Sequence, residues 1–295
     1  MRKIAAIDIG SNAVRMLICY VLNNEDEYIF QKNQYIRLPL RLGEDSFKTG
    51  IISNDKINTL SNALLSFKFT MKVHEVEQYQ IYATSALRDS KNYNDVIKQI
   101  YDSTGMKVQL IDGLKEARLI ASGNPTENLD LDKTYLYVDV GGGSTEYSIV
   151  RRGNEKKSKS FNIGTVRLLN NLVDELVFDE IKVWINENLE DDSKLKVFAS
   201  GGNINKIQDM TRTKPNKPIS YLSIKDLYNN LLEKDITNRM IKYNINPDRA
   251  DVIIPAIKIF ISTMDWVNAN KLFVPKLGLV DGMIREIHNS MNSSN

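Results

Sequence analysis

The segment Val138-Asp139-Val140-Gly141-Gly142-Gly143-Ser144-Thr145-Glu146 decides the reading of this chain. A β-branched run carries one Asp, then small and hydroxyl residues, then a second β-branched run. That pattern predicts strand, tight turn, strand, with a carboxylate at the end of the first strand. Near the start, Ile7-Asp8-Ile9-Gly10-Ser11-Asn12 says nearly the same thing. A carboxylate beside a Gly/Ser turn can hold a divalent cation while the backbone N–H groups of the turn hold phosphate oxygens. Two such stretches predict two related halves facing one phosphate-bearing ligand.

The flanking sequence extends the repeat. Residues 4–9, 14–22 and 28–36 read as antiparallel strands. A loop at 42–50 follows, then a helix from Ser53, a strand at 80–84, a polar turn from Ser85 to Asn94, a helix at 95–103, a strand at 107–111 and a helix at 114–122. The polar segment 124–133 reads as a link. Strands at 134–139, 146–150 and 158–163 then restart the pattern. Helices at 164–172 and 174–189, a strand at 195–199 and a helix at 203–211 follow. Later come helices at 224–234 and 249–267, a strand at 272–274, a closing helix at 281–290 and a frayed tail from Asn289. The predicted domains are 1–124 and 125–295, with the last helix able to pack back on the first.

Composition narrows the class. The 295 residues are 42% hydrophobic and 26% charged, with a formal charge of +2, so no global charge points to nucleic acid. The start has neither the length nor the cleavage site of a signal peptide, and no stretch approaches a membrane span. One cysteine excludes an intrachain disulfide, and two histidines make zinc a poor expectation. A reduced, cytoplasmic enzyme or binding protein fits.

Three successive glycines, Gly141 to Gly143, remove every Cβ from one turn, which lets backbone approach an anion and adopt positive φ. A plain hairpin turn needs fewer, and the flanking acids favour function. Asp139 and Glu146 flank the loop mouth and suit magnesium, although solvated loop-edge acids are the bland alternative. Asp8 is a charge in an apolar strand, read equally as a metal-associated acid or a turn cap. Arg15 and Arg88 lie near hydroxyl-rich turns, where a guanidinium can grip phosphate or simply face solvent. Glu116 falls in the first turn of a helix, where Glu is common on dipole grounds alone. Ser200-Gly201-Gly202 sits between a strand and a helix, as an anion loop or a tight connection. The basic clusters around Arg151 and Lys214 read as solvated loops.

Taken in order, Ile7-Asp8-Ile9-Gly10-Ser11-Asn12-Ala13-Val14-Arg15, Ala83-Thr84-Ser85-Ala86-Leu87-Arg88-Asp89, Lys115-Glu116-Ala117-Arg118-Leu119-Ile120 and the Val138–Glu146 segment resemble the motifs of the exopolyphosphatase/guanosine pentaphosphate phosphohydrolase family. Ser200-Gly201-Gly202 matches a further glycine motif. The resemblance implies an α/β fold with two ribonuclease-H-like domains, of the actin, Hsp70 and sugar-kinase superfamily, flanking a central cleft. It implies Glu116 as the catalytic group that activates water. Asp139 and Glu146 become metal-associated acids, with Asp8 near the metal through water. Ser11, Asn12, Arg15, Arg88, Gly141, Gly142, Gly143, Ser144, Ser200, Gly201 and Gly202 become phosphate contacts. The implied cofactor is Mg2+ or another divalent cation. The implied substrates are inorganic polyphosphate and guanosine pentaphosphate, and a homodimer is expected by analogy.

Departures from the family pattern are Ala13 in place of Ser, Lys115 before Glu116, and Pro275-Lys276-Leu277-Gly278-Leu279-Val280-Asp281-Gly282 in place of a Gly-Leu-Arg-Glu-Gly-like run. The extra C-terminal helical domains of longer members are also missing, which predicts a preference for shorter polyphosphate. The competing expectations are a superfamily small-molecule kinase or ATPase, and a nonenzymatic polyphosphate or alarmone sensor.

Overall fold

Ile4, Ala5, Ala6, Ile7 and Ile9 are all buried, so β1 (Arg2–Ile9) is apolar on both faces, as a central strand requires. It anchors the first unit in this computed structural model, which describes residues 1–24, 27–123, 133–151, 155–189 and 195–293. Most of the predicted link, Arg152 and the last two residues lie outside the described residues.

Contacts divide the chain into Met1–Gly123 with Leu279–Asn295, and Asn124–Gly278. In the first unit, β1, β2 (Val14–Asn24) and β3 (Glu27–Leu38) are followed by α1 (Leu42–Thr49), α2 (Asn54–Val73) and β4 (Gln78–Ala83). Then come α3 (Ser85–Arg88), α4 (Tyr93–Thr104), β5 (Gln109–Leu110) and α5 (Gly113–Gly123). The sheet order is β3-β2-β1-β4-β5. β2 runs antiparallel to both β1 and β3, whereas β4 is parallel to both β1 and β5. One sheet face packs Ile7, Met16 and Ile81 under Leu60, Leu64 and Phe67 of α2. These α2 residues recur at helical spacing, which is why the helix forms and which face it buries. The other face packs Ile4, Leu17 and Tyr82 under Leu119 and Ile120 of α5 and under Met283, Ile284 and Ile287 of a closing helix, Leu279–Ser293.

The second unit holds β6 (Thr134–Val140), β7 (Thr145–Arg151), β8 (Glu155–Phe161), α6 (Thr165–Leu169), α7 (Leu176–Asn188), β9 (Lys196–Ser200) and α8 (Gly202–Met210). It continues through β10 (Ile219–Ser220), α9 (Tyr221–Leu232), α10 (Ile236–Tyr243), α11 (Pro247–Ala250), α12 (Ile253–Trp266) and β11 (Lys271–Phe273), and the closing helix of the first unit is then α13. The sheet order β10-β11-β9-β6-β7-β8 contains β8-β7-β6-β9-β11, which matches the first sheet strand for strand. Strand directions match too: β6 and β7 are antiparallel, whereas β6–β9 and β11–β9 are parallel. The duplication is therefore one of topology as well as motif. Core helix α12 buries Ile253, Ala256, Ile257, Ile259 and Phe260, more than one helical face.

Several expectations are corrected. The loop at 42–50 is mostly helix: Gly43 is a packing glycine, because a Cβ there would meet the Phe47 ring at 2.7 Å and Ser11 Cβ at 3.1 Å. The polar turn from Ser85 contains α3. The single helix at 249–267 is two, interrupted near Asp251. Neither β10 nor α10 was expected; α10 is a short helix that buries none of its residues fully and rests on the core through Met240 and Tyr243 on one face. The tail is helical through Ser293, held where Asn292 accepts from Arg2 Nη1 at 3.0 Å. No described helix is long and apolar enough to cross a membrane. Cys19 is buried, and burial pushes its thiol up to about 12.

His288 on α13 lies against the Tyr28 and Phe30 rings, with centroids 4.2 and 5.5 Å away. Its Nδ1 is buried without a hydrogen-bond partner. Burial, then the charge of Arg2, hold its pKa below the usual value of 6.5. The neutral ring is thus the folded form, and its full contribution to stability is present above pH 6.5. That contribution is lost as pH falls from there through the depressed folded pKa. Urea midpoints measured between pH 7.5 and 5 should fall less in His288→Gln than in wild type.

Candidate active site

The two motifs build the same turn. In the first, Gly10 N donates to Ala13 O at 3.1 Å; in the second, Gly141 N donates to Ser144 O at 3.0 Å. Each loop is then gripped through its carbonyls by the short helix that follows the third strand. Gly43 N donates to Ser11 O at 2.9 Å and Arg41 N to Asn12 O at 3.0 Å. In the second unit, Thr165 N donates to Gly141 O at 3.0 Å and Val166 N to Gly142 O at 2.8 Å, and Arg167 Nε donates to Gly143 O at 2.8 Å. With the carbonyls turned toward α6, the N–H groups of Gly142 and Gly143 meet no acceptor among the described residues. Such a row of amides is able to receive an anion.

The expected reason for the glycines is revised. None of Gly141 to Gly143 adopts positive φ, which among the described glycines is confined to Gly50, Gly105 and Gly201. Space within the turn is limiting at Gly141, where a Cβ would lie 2.9 Å from Ser144 O. The loop also dictates a glycine at 164: a Cβ there would lie 2.4 Å from Gly142 C and O and 2.5 Å from Gly143 N, so two backbones pass in contact here.

The strand registers place the acids. Asp8 stands opposite Arg15, and Asp139 stands opposite Glu146. Arg15 Nη1 lies 2.5 Å from Asp8 Oδ2, so the guanidinium expected on phosphate grips a carboxylate within its own unit. Asp8 Oδ1 is buried and has no donor. Burial raises the Asp8 pKa, against the opposing pull of Arg15. At the equivalent place in the second unit a carboxylate replaces the arginine. Asp139 Oδ2 accepts from Ser200 Oγ at 2.5 Å, and buried Glu146 accepts at Oε1 from Ser160 Oγ at 2.8 Å. Like charges directly opposite on paired strands destabilise a sheet, and a divalent cation with oxygen ligands offsets that. The Asp139–Glu146 pair therefore fits a hard cation that keeps several waters. Among the described residues no group of three or more His, Cys, Asp or Glu is gathered as a metal nest.

Ser200, expected on phosphate, thus donates its hydroxyl to Asp139. Gly201 has φ 98°, a conformation that leads the chain from β9 into α8. Arg249 Nη1 donates to the Gly202 carbonyl, a contact invisible at a separation of 47 residues.

Glu116 lies in the first turn of α5, whose start is capped by Asp112 accepting from Lys115 N at 2.7 Å. Arg88 on α3 reaches Glu116, Nη1 to Oε2 at 3.9 Å, while donating to Ile111 O at 2.9 Å. Ser85 of the same short helix shares a 2.9 Å hydrogen bond with Ser11. The first unit thus gathers Ser11, Asn12, Arg88 and Glu116 at the carboxyl ends of its parallel strands, where α/β sheets place ligands. The sequence did not reveal the bracing beside Glu116. Lys115 Nζ donates to Tyr82 Oη at 2.9 Å and lies 3.4 Å from Glu286, and Tyr82 Oη donates to Glu286 at 2.5 Å.

Comparison with known proteins accords with this arrangement. Residues 28–291 match the family model described as the Ppx/GppA phosphatase family. A bifunctional 3-dehydroquinate synthase/phosphatase of Fusobacterium nucleatum is 32% identical over 96% of this chain and 46% of its own length. The chain therefore spans about half of that relative. A putative exopolyphosphatase of Haemophilus influenzae is 23% identical over 97% of this chain and 90% of its own. The crystal structure of an exopolyphosphatase from Cytophaga hutchinsonii superposes with a TM-score of 0.82 at 22% identity, covering 98% of each chain, and it shares the two-domain α/β fold.

Proposed function

The chain belongs to the Ppx/GppA phosphatase family, and from that premise we propose that it hydrolyses terminal phosphoanhydride bonds of inorganic polyphosphate or guanosine pentaphosphate, releasing inorganic phosphate. The observation that carries this reading is the in-register Asp139–Glu146 pair beside the glycine loop, whose amides are presented because α6 holds its carbonyls. Magnesium held by Asp139 and Glu146 would offset charge on the phosphoryl group. The amides of Gly142 and Gly143, with Ser144, would bind its oxygens. Within the first unit, Ser11, Asn12 and Arg88 are the groups suited to phosphate oxygens. Asp8, through its Oδ1, offers an acceptor to a water in the hydrated site.

In the proposed step, Glu116 orients a water and takes its proton as the water oxygen bonds to the terminal phosphorus. The bridging P–O bond breaks, and the shortened chain leaves with the electron pair. The Arg88 guanidinium, Nη1 3.9 Å from Glu116 Oε2, places a positive charge beside that carboxylate. Gly201 passes close to Asp139: a Cβ there would come within 3.2 Å of Asp139 Oδ1, so a side chain at 201 would crowd the carboxylate.

The test is phosphate release with magnesium from short polyphosphate, long polyphosphate and guanosine pentaphosphate in parallel, with ATP and a sugar acceptor beside them. Magnesium-dependent release from at least one of the first three is expected, falling to background on chelation. ATP-dependent transfer to the sugar, or tight binding without release, would overturn the reading in favour of a kinase or a sensor.

A further inference from the structure

β3 is the outer strand of the first sheet, twelve residues long, with no neighbour on its free edge among the described residues. Its exposed side chains include Tyr28, Ile29 and Tyr35, at 46%, 47% and 52% exposure. A long open edge is a template for another strand, here with a polar centre, Gln31-Lys32-Asn33-Gln34, between two apolar ends.

Two features show what this edge fits. The first is sequence: Tyr28-Ile29-Phe30-Gln31 is followed, after Lys32-Asn33, by Gln34-Tyr35-Ile36-Arg37, nearly its own reverse. The second is a bulge. Lys32 pairs with Cys19 and Gln34 with Ile18, so Asn33 is an extra residue. Tyr28, Phe30 and Lys32 therefore share a face with Tyr35 and Arg37, while Ile29 and Gln31 share the other with Gln34 and Ile36. Without the extra residue, the two halves of the palindrome would present matching side chains to opposite faces.

From this geometry we propose that β3 is a two-fold seam that pairs antiparallel with β3 of a second copy of this chain. An axis between Lys32 and Asn33 sets Gln31 opposite Gln34, Phe30 opposite Tyr35, Ile29 opposite Ile36 and Tyr28 opposite Arg37, each pair on one face. The ten residues from Tyr28 to Arg37 give about ten new backbone hydrogen bonds. Two five-stranded sheets become one of ten strands. The charge that would repel at the axis is already drawn aside, since Lys32 Nζ lies 2.6 Å from Asp281. The contact is isologous, as a closed dimer requires.

Sedimentation equilibrium on the full chain tests this. Wild type should have the mass of two chains. Q31E/Q34E places like charges opposite each other across the seam and should weaken association at least about tenfold. Q31K/Q34E places opposite charges there and should restore the dimer. Both glutamines are exposed, and thermal midpoints verify that each variant folds. Mixing Q31E/Q34E with Q31K/Q34K should give a heterodimer that neither forms alone, a result misfolding cannot imitate. A monomeric wild type would overturn the proposal. So would a Q31E/Q34E variant as dimeric as wild type, or mixed variants that stay apart.

Discussion

Replacing Gly282 by alanine is expected to destabilise the first unit by about 3 kcal/mol or more. A Cβ there would lie 1.9 Å from the Leu119 carbonyl oxygen and 2.5 Å from its carbon. Both are backbone atoms of α5, so no side-chain rotation relieves the overlap, and α13 must lift. Lifting it loosens Met283, Ile284 and Ile287 from Ile4, Leu17 and Ile120, a buried apolar cluster. It also disturbs the Glu286 carboxylate that accepts from Tyr82 and neighbours Lys115. Because Glu116 rides the same helix as Leu119, phosphate release should fall along with stability. Gly278→Ala is the control: nothing lies within 4 Å of its added Cβ, and its urea midpoint should stay close to that of wild type. An unchanged midpoint in Gly282→Ala would mean that α5 and α13 do not cross this closely.

Much of this was legible in the sequence. From Ile4 in β1 and from Tyr135 in β6 the strands are apolar runs broken only by Asp8 and Asp139, so the duplicated strand-turn-strand stood out. The order of strands and helices followed from Gly-rich turns and helical spacing. What escaped did so for physical reasons. Gly43 resembles a loop residue in sequence, yet it serves helix packing against Ser11. Gly282 stood in a segment that departed from the expected motif, and its purpose shows only where two helices meet. The partners of the acids depend on register: Asp8 finds Arg15, whereas Asp139 finds Glu146. The Tyr82–Glu286 contact joins residues 204 positions apart, beyond any local pattern. Ser200 was legible as a small residue before a helix but not as the donor to Asp139.

Glu116→Gln is the variant with the largest expected effect on chemistry. Glutamate and glutamine have nearly the same shape, so α5, its Asp112 cap and the Lys115 bracing should persist. The amide can still touch a water but cannot take its proton at neutral pH. General-base contributions are worth about 10²–10⁴-fold in rate. Because the glutamate is assigned to the water and not to the phosphate chain, affinity should survive its loss. The deciding measurement is phosphate release from magnesium polyphosphate or guanosine pentaphosphate by wild type and Glu116→Gln, with substrate affinity determined on both by calorimetry. Wild type should release phosphate rapidly, the variant should lose about 10²-fold or more, and the two affinities should lie within about threefold of each other. Near-wild-type release by Glu116→Gln would contradict the assignment of Glu116 to the water.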